Sequence, residues 1–536
     1  MSDLISCELL GELPAVAARR WGDRPALAFR GAQWSYVQFE QEVERIAAAL
    51  QASGVRSGDR VATWLTNCEQ AEFLFFAIIR AGAVCVPLNT RYRTEDVAYA
   101  LAQSGSTLMV TMARSGPVDF GRLLADALGS VQALADGGIR AERAPALRQL
   151  VTLGDTGIPG ALGWAQFLER GRAGFAPVAC QPADAALMIY TSGTTGHPKG
   201  VLLDHSGMRL CLERTRIMGL RADDVQLTYL PLFHTYALSY CVIMSFICGA
   251  RQLLMESFDA DAALDRIAED GVTVVHGFDA HFNDFLQAQR RRPRDLSSLR
   301  FGTLTVGSDS SVELARAVQS QLCPTLSGYG MTEMWGAITI TPQEATPAQR
   351  CEASGLPQPG VELRIIDPAD GRELPPGQVG EILVRSYSRM IGYHQQPEAT
   401  AAAIDVDGWF HSGDAGLLRE DGHLRYVSRY KDMLKVGGEN VSPAEIEGLL
   451  AAMPGVIAVA VVADRHERLS EVPVAFVVAE AAAAIDTAAV QAFCRGRIAS
   501  FKIPARVVAV TELPMTPTGK VQKELLRQRL ASSHNN

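Results

Sequence analysis

The chain reads as an α/β protein: a large N-terminal domain of parallel-rich sheets flanked by helices, a small β-rich subdomain, and an α+β C-terminal domain. Three observations predict this. Strand and helix patterns alternate over the N-terminal part of the chain, and Pro375-Pro376-Gly377 punctuates a later run of strand-like segments. Beyond Ser442-Pro443 the pattern becomes helix, strand, strand, helix, a compact unit of about a hundred residues. At 536 residues the chain is too long for one hydrophobic core, so more than one domain is required.

The elements follow in order. Ser35 and Gln38 have capping-box spacing, and Phe39, Val43, Ile46 and Leu50 then recur at helical intervals. A strand over 60–65, an apolar helix around 73–79, a strand over 84–88, a helix from about Thr94 and a strand over 107–111 continue the rhythm. Alternation of this kind implies parallel strands covered on both faces by helices. Residues 115–145 are rich in Gly and Ala with weak periodicity, and are expected to be peripheral. The apolar residues 186–190 read as a buried strand. Residues 236–250 are the most apolar stretch, but 15 residues fall short of the roughly 20 a spanning helix needs, so a buried helix is expected. A boundary near Arg429 divides the chain into domains 1–428 and 429–536. The second domain is read as helix 444–453, strands 457–462 and 472–478, and helix 487–498.

Composition narrows the function. Hydrophobic residues at 48% and charged residues at 20% describe an ordinary globular protein. A formal charge of −9 provides no basic footprint for nucleic acid. Ten cysteines are scattered without a Cys-x-x-Cys pair, which suggests neither a zinc site nor a disulfide framework. The N-terminal Met-Ser-Asp-Leu-Ile-Ser-Cys-Glu does not read as a signal peptide, and Ser-His-Asn-Asn is not a peroxisomal address. A cytoplasmic protein with no membrane span is the expectation.

Four motifs carry chemistry. The first, Thr191-Ser192-Gly193-Thr194-Thr195-Gly196-His197-Pro198-Lys199-Gly200, follows the apolar strand. Its glycines let backbone N–H groups approach an anion, and its hydroxyls and Lys199 supply further donors, as a polyphosphate requires. No Walker A register can be drawn through it. The second is Ser327-Gly328-Tyr329-Gly330-Met331-Thr332-Glu333, in which an aromatic face can stack on a base and a carboxylate suits a hard cation. The third is Gly413-Asp414, whose carboxylate can accept from two ribose hydroxyls. The fourth, Pro514-Met515-Thr516-Pro517-Thr518-Gly519-Lys520, holds a lysine on a short loop.

Taken together and in this order, the motifs resemble those of the adenylate-forming superfamily of acyl-CoA synthetases, peptide-synthetase adenylation domains and firefly luciferases, over essentially the whole chain. The resemblance implies that fold, with a mobile C-terminal domain, and ATP cleaved between its α- and β-phosphates. It implies that Thr191, Ser192, Gly193, Thr194, Thr195, Gly196 and Lys199 hold phosphates and that Tyr329 packs on adenine. It puts Asp414, helped by Arg429, on the ribose, Glu333 and Thr194 on Mg²⁺, and Lys520 with Thr332 and Glu333 in catalysis. Lys431 falls at the hinge position.

Within the superfamily, Lys435 to Glu447 look most like an acyl-CoA synthetase, where Gly437, Gly438 and Glu439 would flank the pantetheine channel of coenzyme A. The implied reaction activates a carboxylic acid as an acyl-adenylate, releases pyrophosphate and passes the acyl group to coenzyme A. A homodimer is the expected assembly. A free-standing ligase that loads a carrier protein stays open, as do a luciferase-like oxygenase and an adenylate-binding relic. Intact Glu333 and Lys520 argue against the last.

The acyl pocket is assigned by the same resemblance to segments that include His234, His276, Asp279, Gly307, Ser308 and Trp335. His276-Gly277-Phe278-Asp279-Ala280-His281 and Gly307-Ser308-Asp309-Ser310 depart from the usual apolar or Gly-Gly-Ala-Pro patterns. Trp335 would floor the pocket and disfavour long unbranched chains. The extra polar groups suit a bulky, medium-length or polar-substituted acid, unless His276, Asp279 and Asp309 satisfy one another or nearby backbone.

Overall fold

A computed structural model describes residues 4–135, 137–191, 198–306, 309–436, 439–466, 469–481, 485–495, 497–498, 500–515 and 520–534. Two parallel-rich sheets organise residues 4 to 393. One contains eight strands, with Arg60–Trp64, Val84–Pro87, Leu108–Met112, Gln149–Leu153 and Leu187–Thr191 running parallel at its centre. The other has seven, with Val225–Thr228, Arg251–Leu254, Val274–Gly277 and Phe301–Leu304 as its parallel middle. Helices cover them because each strand exposes apolar residues on both faces. The helix Tyr36–Ala52 shows how. Ser35 Oγ accepts from Gln38 N at 3.2 Å and Gln38 Oε1 accepts from Ser35 N at 2.9 Å, while Phe39, Val43, Ile46 and Leu50 are fully buried.

Residues 115–145 depart from expectation. A helix, Phe120–Leu128, is capped by Asp119, and a hairpin pairs Val131–Ala133 with Ile139–Ala141. Phe120, Leu124, Ala127 and Leu128 form its buried stripe, a short pattern that the surrounding Gly and Ala obscured. The apolar run after Tyr236 is buried as expected, but opens as a π-helix, Ala237–Ile243, before the α-helix Met244–Cys248. No helix among the described residues is long and apolar enough to cross a membrane.

An antiparallel four-stranded sheet follows, in the order Val361–Ile366, Gly380–Ser386, Phe410–Leu418 and Leu424–Arg429. A short 3₁₀ turn, Tyr430–Asp432, then leads into a separate sheet in which Leu434–Val436, Glu439–Val441, Val456–His466, Ser470–Ala479 and Arg506–Ala509 take part. The last strand and the terminal helix Lys523–His534 were not expected from sequence. The C-terminal unit has cores of its own, around Ile446, Leu450, Val461 and Val477 and around Val462, Phe476, Leu526 and Leu530.

Candidate active site

Four structural pieces meet at one place. The strand Leu187–Thr191 turns back antiparallel into Lys199–Leu203, with Thr191 opposite Lys199. Ser192, Gly193, Thr194, Thr195 and Gly196 lie outside the described residues. Next to the return strand, Gly392–Tyr393 adds a further antiparallel partner, with Val201 opposite Tyr393. Lys199 Nζ sits 4.6 Å from the centre of the Tyr393 ring, a cation–π contact that steers the ammonium. The Tyr393 hydroxyl donates to Glu333 Oε1 at 3.0 Å.

Glu333 stands at the tip of a tight hairpin. Gly330 pairs with Ala337 and Met331 with Gly336, and Thr332–Met334 make the turn. The approach requires glycine at 330, since a Cβ there would lie 2.0 Å from Gly336 O. The turn is fastened from outside by Met390 N donating to Glu333 O at 2.7 Å and Ser388 Oγ donating to Met334 O at 3.2 Å. Glu333 is therefore a fixed carboxylate beside a fixed cation.

The other side is built by strand pairing. Asp414 and Arg429 are opposite each other in the small sheet, and Arg429 Nε lies 2.9 Å from Asp414 Oδ1. The Tyr329 hydroxyl donates to Asp414 Oδ2 at 2.7 Å, and its ring stacks on Tyr426 at 5.8 Å and 22°. One face of Tyr329 is thus already taken by Tyr426. Ser412 Oγ accepts from Asp414 N at 3.0 Å, and Arg429 donates to Ser412 O at 3.2 Å. Burial raises the Asp414 pKa, against the pull of Arg429, Tyr329 and Lys520.

Lys520 arrives from the C-terminal unit. The surrounding protein lowers its pKa, Arg429 lowers it further, and Asp414 opposes both. His234 answers to the same charge: burial first, then Lys520 and Arg91, push its pKa down to about 4. Its Nε2 is buried without a hydrogen-bond partner among the described residues. Lys520 is brought beside the like charge of Arg429, and two cations held together favour an anion between them. The residues therefore fit a polyphosphate and a substrate carboxylate. No group of three His, Cys, Asp or Glu side chains forms a metal cage among the described residues. A lone carboxylate such as Glu333 instead suits Mg²⁺ whose remaining ligands are phosphate oxygens and water.

The acyl-side residues behave differently. His276 is fully buried, with Nδ1 2.7 Å from Thr303 Oγ1 and Nε2 2.7 Å from Gln226 Oε1. Burial, with Arg214 behind it, lowers its pKa to about 3, so the ring is neutral. Both nitrogens are spent inside the protein, which corrects the expectation that His276 offers a polar group to the acyl pocket. Trp335 is corrected likewise. It is fully buried with a left-handed φ of 62°, and its indole N–H donates to Asp204 O at 3.0 Å. It packs so tightly on Gly207 that a Cβ there would lie 2.5 Å from its ring, and in this conformation it floors no open pocket. Asp279 opens the helix Asp279–Arg291, and burial raises its pKa to about 6. Gly307, Ser308, Gly437 and Gly438 lie outside the described residues. For Lys431 and Glu439 only the backbone is described, in the 3₁₀ turn and in the strand Glu439–Val441. Sequence reasoning missed Tyr393 and Tyr426, which no motif marks and only strand pairing brings in, and Ser412, which stands two residues before Asp414 on the same strand.

Residues 15–394 match the AMP-binding enzyme family, and residues 445–520 match the AMP-binding enzyme C-terminal domain. The chain belongs to this family, the adenylate-forming enzymes. The indoleacetate–CoA ligase of Aromatoleum aromaticum is 36% identical over 95% of each chain. A fatty acid–[acyl-carrier-protein] ligase, ScoC of Streptomyces coeruleorubidus, is 34% identical over 94% of this chain and 93% of its own. Among solved structures, ATP-bound MatB of Rhodopseudomonas palustris superposes with a TM-score of 0.84 at 30% identity, covering 97% of this chain and 98% of its own. The apo form of MatB, at 29% identity and the same coverage, scores 0.73.

Proposed function

We propose that the protein is an ATP-dependent carboxylic acid:coenzyme A ligase that works through an acyl-adenylate. The observation that carries this reading is the meeting of Lys520 from the C-terminal unit with Asp414 and His234 of the N-terminal one and with Arg429 at the border. A carboxylate is a poor acyl donor, and adenylation provides it with a leaving group. Lys520 is suited to bridge the substrate carboxylate and the α-phosphate, where negative charge grows as the oxygen attacks and pyrophosphate departs. Asp414 can accept from the ribose hydroxyls, and Arg429 opposes the burial that raises its pKa. Thr191 and Lys199 border the phosphate loop, and Thr332 stands beside Glu333 at the hairpin tip. Mg²⁺ held by Glu333 and Thr194 would supply charge neutralisation on the phosphates.

The better fit to ATP-bound than to apo MatB supports the adenylating arrangement of two domains, 1–428 and 429–536. Turning about Lys431 would then withdraw Lys520 and bring Gly437, Gly438 and Glu439 to the pantetheine channel for attack by the thiol of coenzyme A. Aromatic rings of Tyr236, Tyr240 and Phe278 cluster beside His276 and favour a bulky or ring-bearing acid, in keeping with the indoleacetate ligase. Ten free cysteines fit a cytoplasmic setting. A carrier-protein acceptor is the second reading, supported by the similarity to ScoC. The test is a panel of carboxylic acids scored for pyrophosphate release, followed by AMP release with and without coenzyme A. Release of pyrophosphate and AMP, with coenzyme A accelerating the second, is expected. ADP as product would overturn adenylation, and indifference to coenzyme A would favour the carrier protein.

A further inference from the structure

Arg214 is fully buried on the helix Gly207–Ile217. Burying a guanidinium is costly unless its charge and donors are matched. Among the described residues no carboxylate pairs with it. Instead it donates to Ser239 Oγ at 3.1 Å and to Ala337 O, and its Cζ lies 4.3 Å from the centre of the Tyr240 ring. Ser239 and Tyr240 belong to the π-helix Ala237–Ile243, an uncommon wide turn that occurs frequently at functional sites. The helix follows directly on His234, and its Tyr240 stands edge-on to Tyr236 at 4.9 Å, so on the ligase reading it walls the acyl side.

Ala337 lies on the opposite side of the guanidinium. It is the return-strand partner of Gly330 in the hairpin whose tip carries Glu333. Between Glu333 and Ala337 the backbone runs through two left-handed residues, Trp335 at φ 62° and Gly336 at φ 98°. A non-glycine residue holds such a conformation only where its surroundings fix it. Trp335 is fixed by Asp204 O, and Ala337 O by Arg214 together with Gln358, whose Nε2 donates to it at 2.7 Å. A Cβ at Gly336 would sit 3.3 Å from Ser239 Oγ, so wall and hairpin are in direct contact around the same guanidinium.

We propose that Arg214 is a positioning residue that locks the acyl-side wall to the Glu333 hairpin, so that seating the acid and placing the Glu333 carboxylate are one event. The proposal rests on the ligase reading. Arg214 is sealed inside the protein, and it acts through Ser239, Tyr240 and Ala337.

The test uses the full-length protein with its best acid and compares Arg214→Lys, Arg214→Met and Ser239→Ala. Arg214→Met is expected to raise the KM for the acid and lower the kcat for pyrophosphate release, each by tenfold or more, with the KM for ATP rising by no more than about fivefold. Thioester formation from supplied acyl-adenylate and coenzyme A should stay within threefold. Arg214→Lys, which keeps the charge and one donor, should recover most of the loss. Ser239→Ala should raise the acid KM a few-fold, and it decides the matter if Arg214→Met does not fold. Parallel rises in both KM values, a lysine no better than methionine, or an unchanged Ser239→Ala would overturn the proposal. Wild-type protein that releases no pyrophosphate with any acid would overturn the ligase reading, and this proposal with it.

Discussion

The nucleotide side and the acyl side of the site are wired in opposite ways. On the nucleotide side, Asp414, Arg429 and Lys520 act on one another, while Lys199 and Glu333 both meet Tyr393. On the acyl side, His276 and Trp335 are sealed in, with their polar atoms spent on Thr303, Gln226 and Asp204. Charges left partly uncompensated are available to a ligand; satisfied polar atoms are available only to the fold. On the proposed reading, recognition of ATP is carried by side chains that reach out, and recognition of the acid by the shape of a wall whose polar groups face inward.

The contrast is most exposed to test at Trp335. A core residue of this size costs about 3–5 kcal/mol when cut to alanine. Trp335→Ala is accordingly expected to lower the melting temperature sharply while the ranking of acids by chain length stays as in the wild type. A stable variant that now accepts longer acids would return Trp335 to the pocket and erase the distinction. Calorimetry and the acid panel on one preparation decide between these outcomes.

Lys520 and Lys431 probe the other side. Lys520→Ala should suppress adenylate formation by about 10²-fold or more, the scale of losing a transition-state charge partner. Thioester formation from supplied adenylate should persist near the wild-type rate. Lys431→Pro fixes φ at the turn between the two sheets and should do the reverse, sparing the first pyrophosphate release and blocking thioester formation. Equal loss of both half-reactions in both variants would mean that one static site serves both steps.

The motifs were legible because each packs its chemistry into a few adjacent residues. Asp414 and Glu333 could be named from their neighbours in the chain, and the Ser35 box and the buried stripe of its helix from spacing alone. Tyr393 could not. It reaches Glu333 from 60 residues away, through a two-residue strand that exists only because Lys199–Leu203 offers an edge. The same limit explains His276. Its isolated polar character in an apolar segment invited a ligand, and only the neighbouring strands disclose Gln226 and Thr303 as its partners. Local patterns report capping, periodicity and contiguous loops; long-range pairing decides which polar group is spent and which is free.

A smaller effect belongs to Asp279. Its carboxyl sits at a helix start, which favours the charged form, yet burial wins and raises the pKa from 3.8 to about 6. The folded state then holds its proton more tightly than the unfolded chain between about pH 4 and 6. Stability contributed by the neutral carboxyl is complete below that window and lost as pH rises through it. The full shift would be worth about 3 kcal/mol, but the half-buried side chain is partly screened. Asp279→Asn should therefore remove a decline on the order of 1–2 kcal/mol, seen as a flatter melting temperature between pH 4 and 7. A profile that keeps its slope in the variant would assign the slope elsewhere.

The smallest expected change falls on Tyr393, and it separates the two sides most finely. Its hydroxyl holds Glu333 at 3.0 Å while its ring carries Lys199. Tyr393→Phe deletes the first contact and keeps the second. A hydrogen bond to a charged group is worth about 1.5–3 kcal/mol, but Glu333 stays wet enough for water to replace much of it, so a loss near 1 kcal/mol is expected. That corresponds to a rise of about fivefold in the Mg²⁺ or ATP requirement, with the KM for the acid unchanged. Tyr393→Leu removes the ring as well and should weaken ATP further, because Lys199 then loses its support. Were the acid KM to move with the ATP KM in the phenylalanine variant, Tyr393 would couple the two sides as well, and the assignment of that coupling to Arg214 would have to be abandoned.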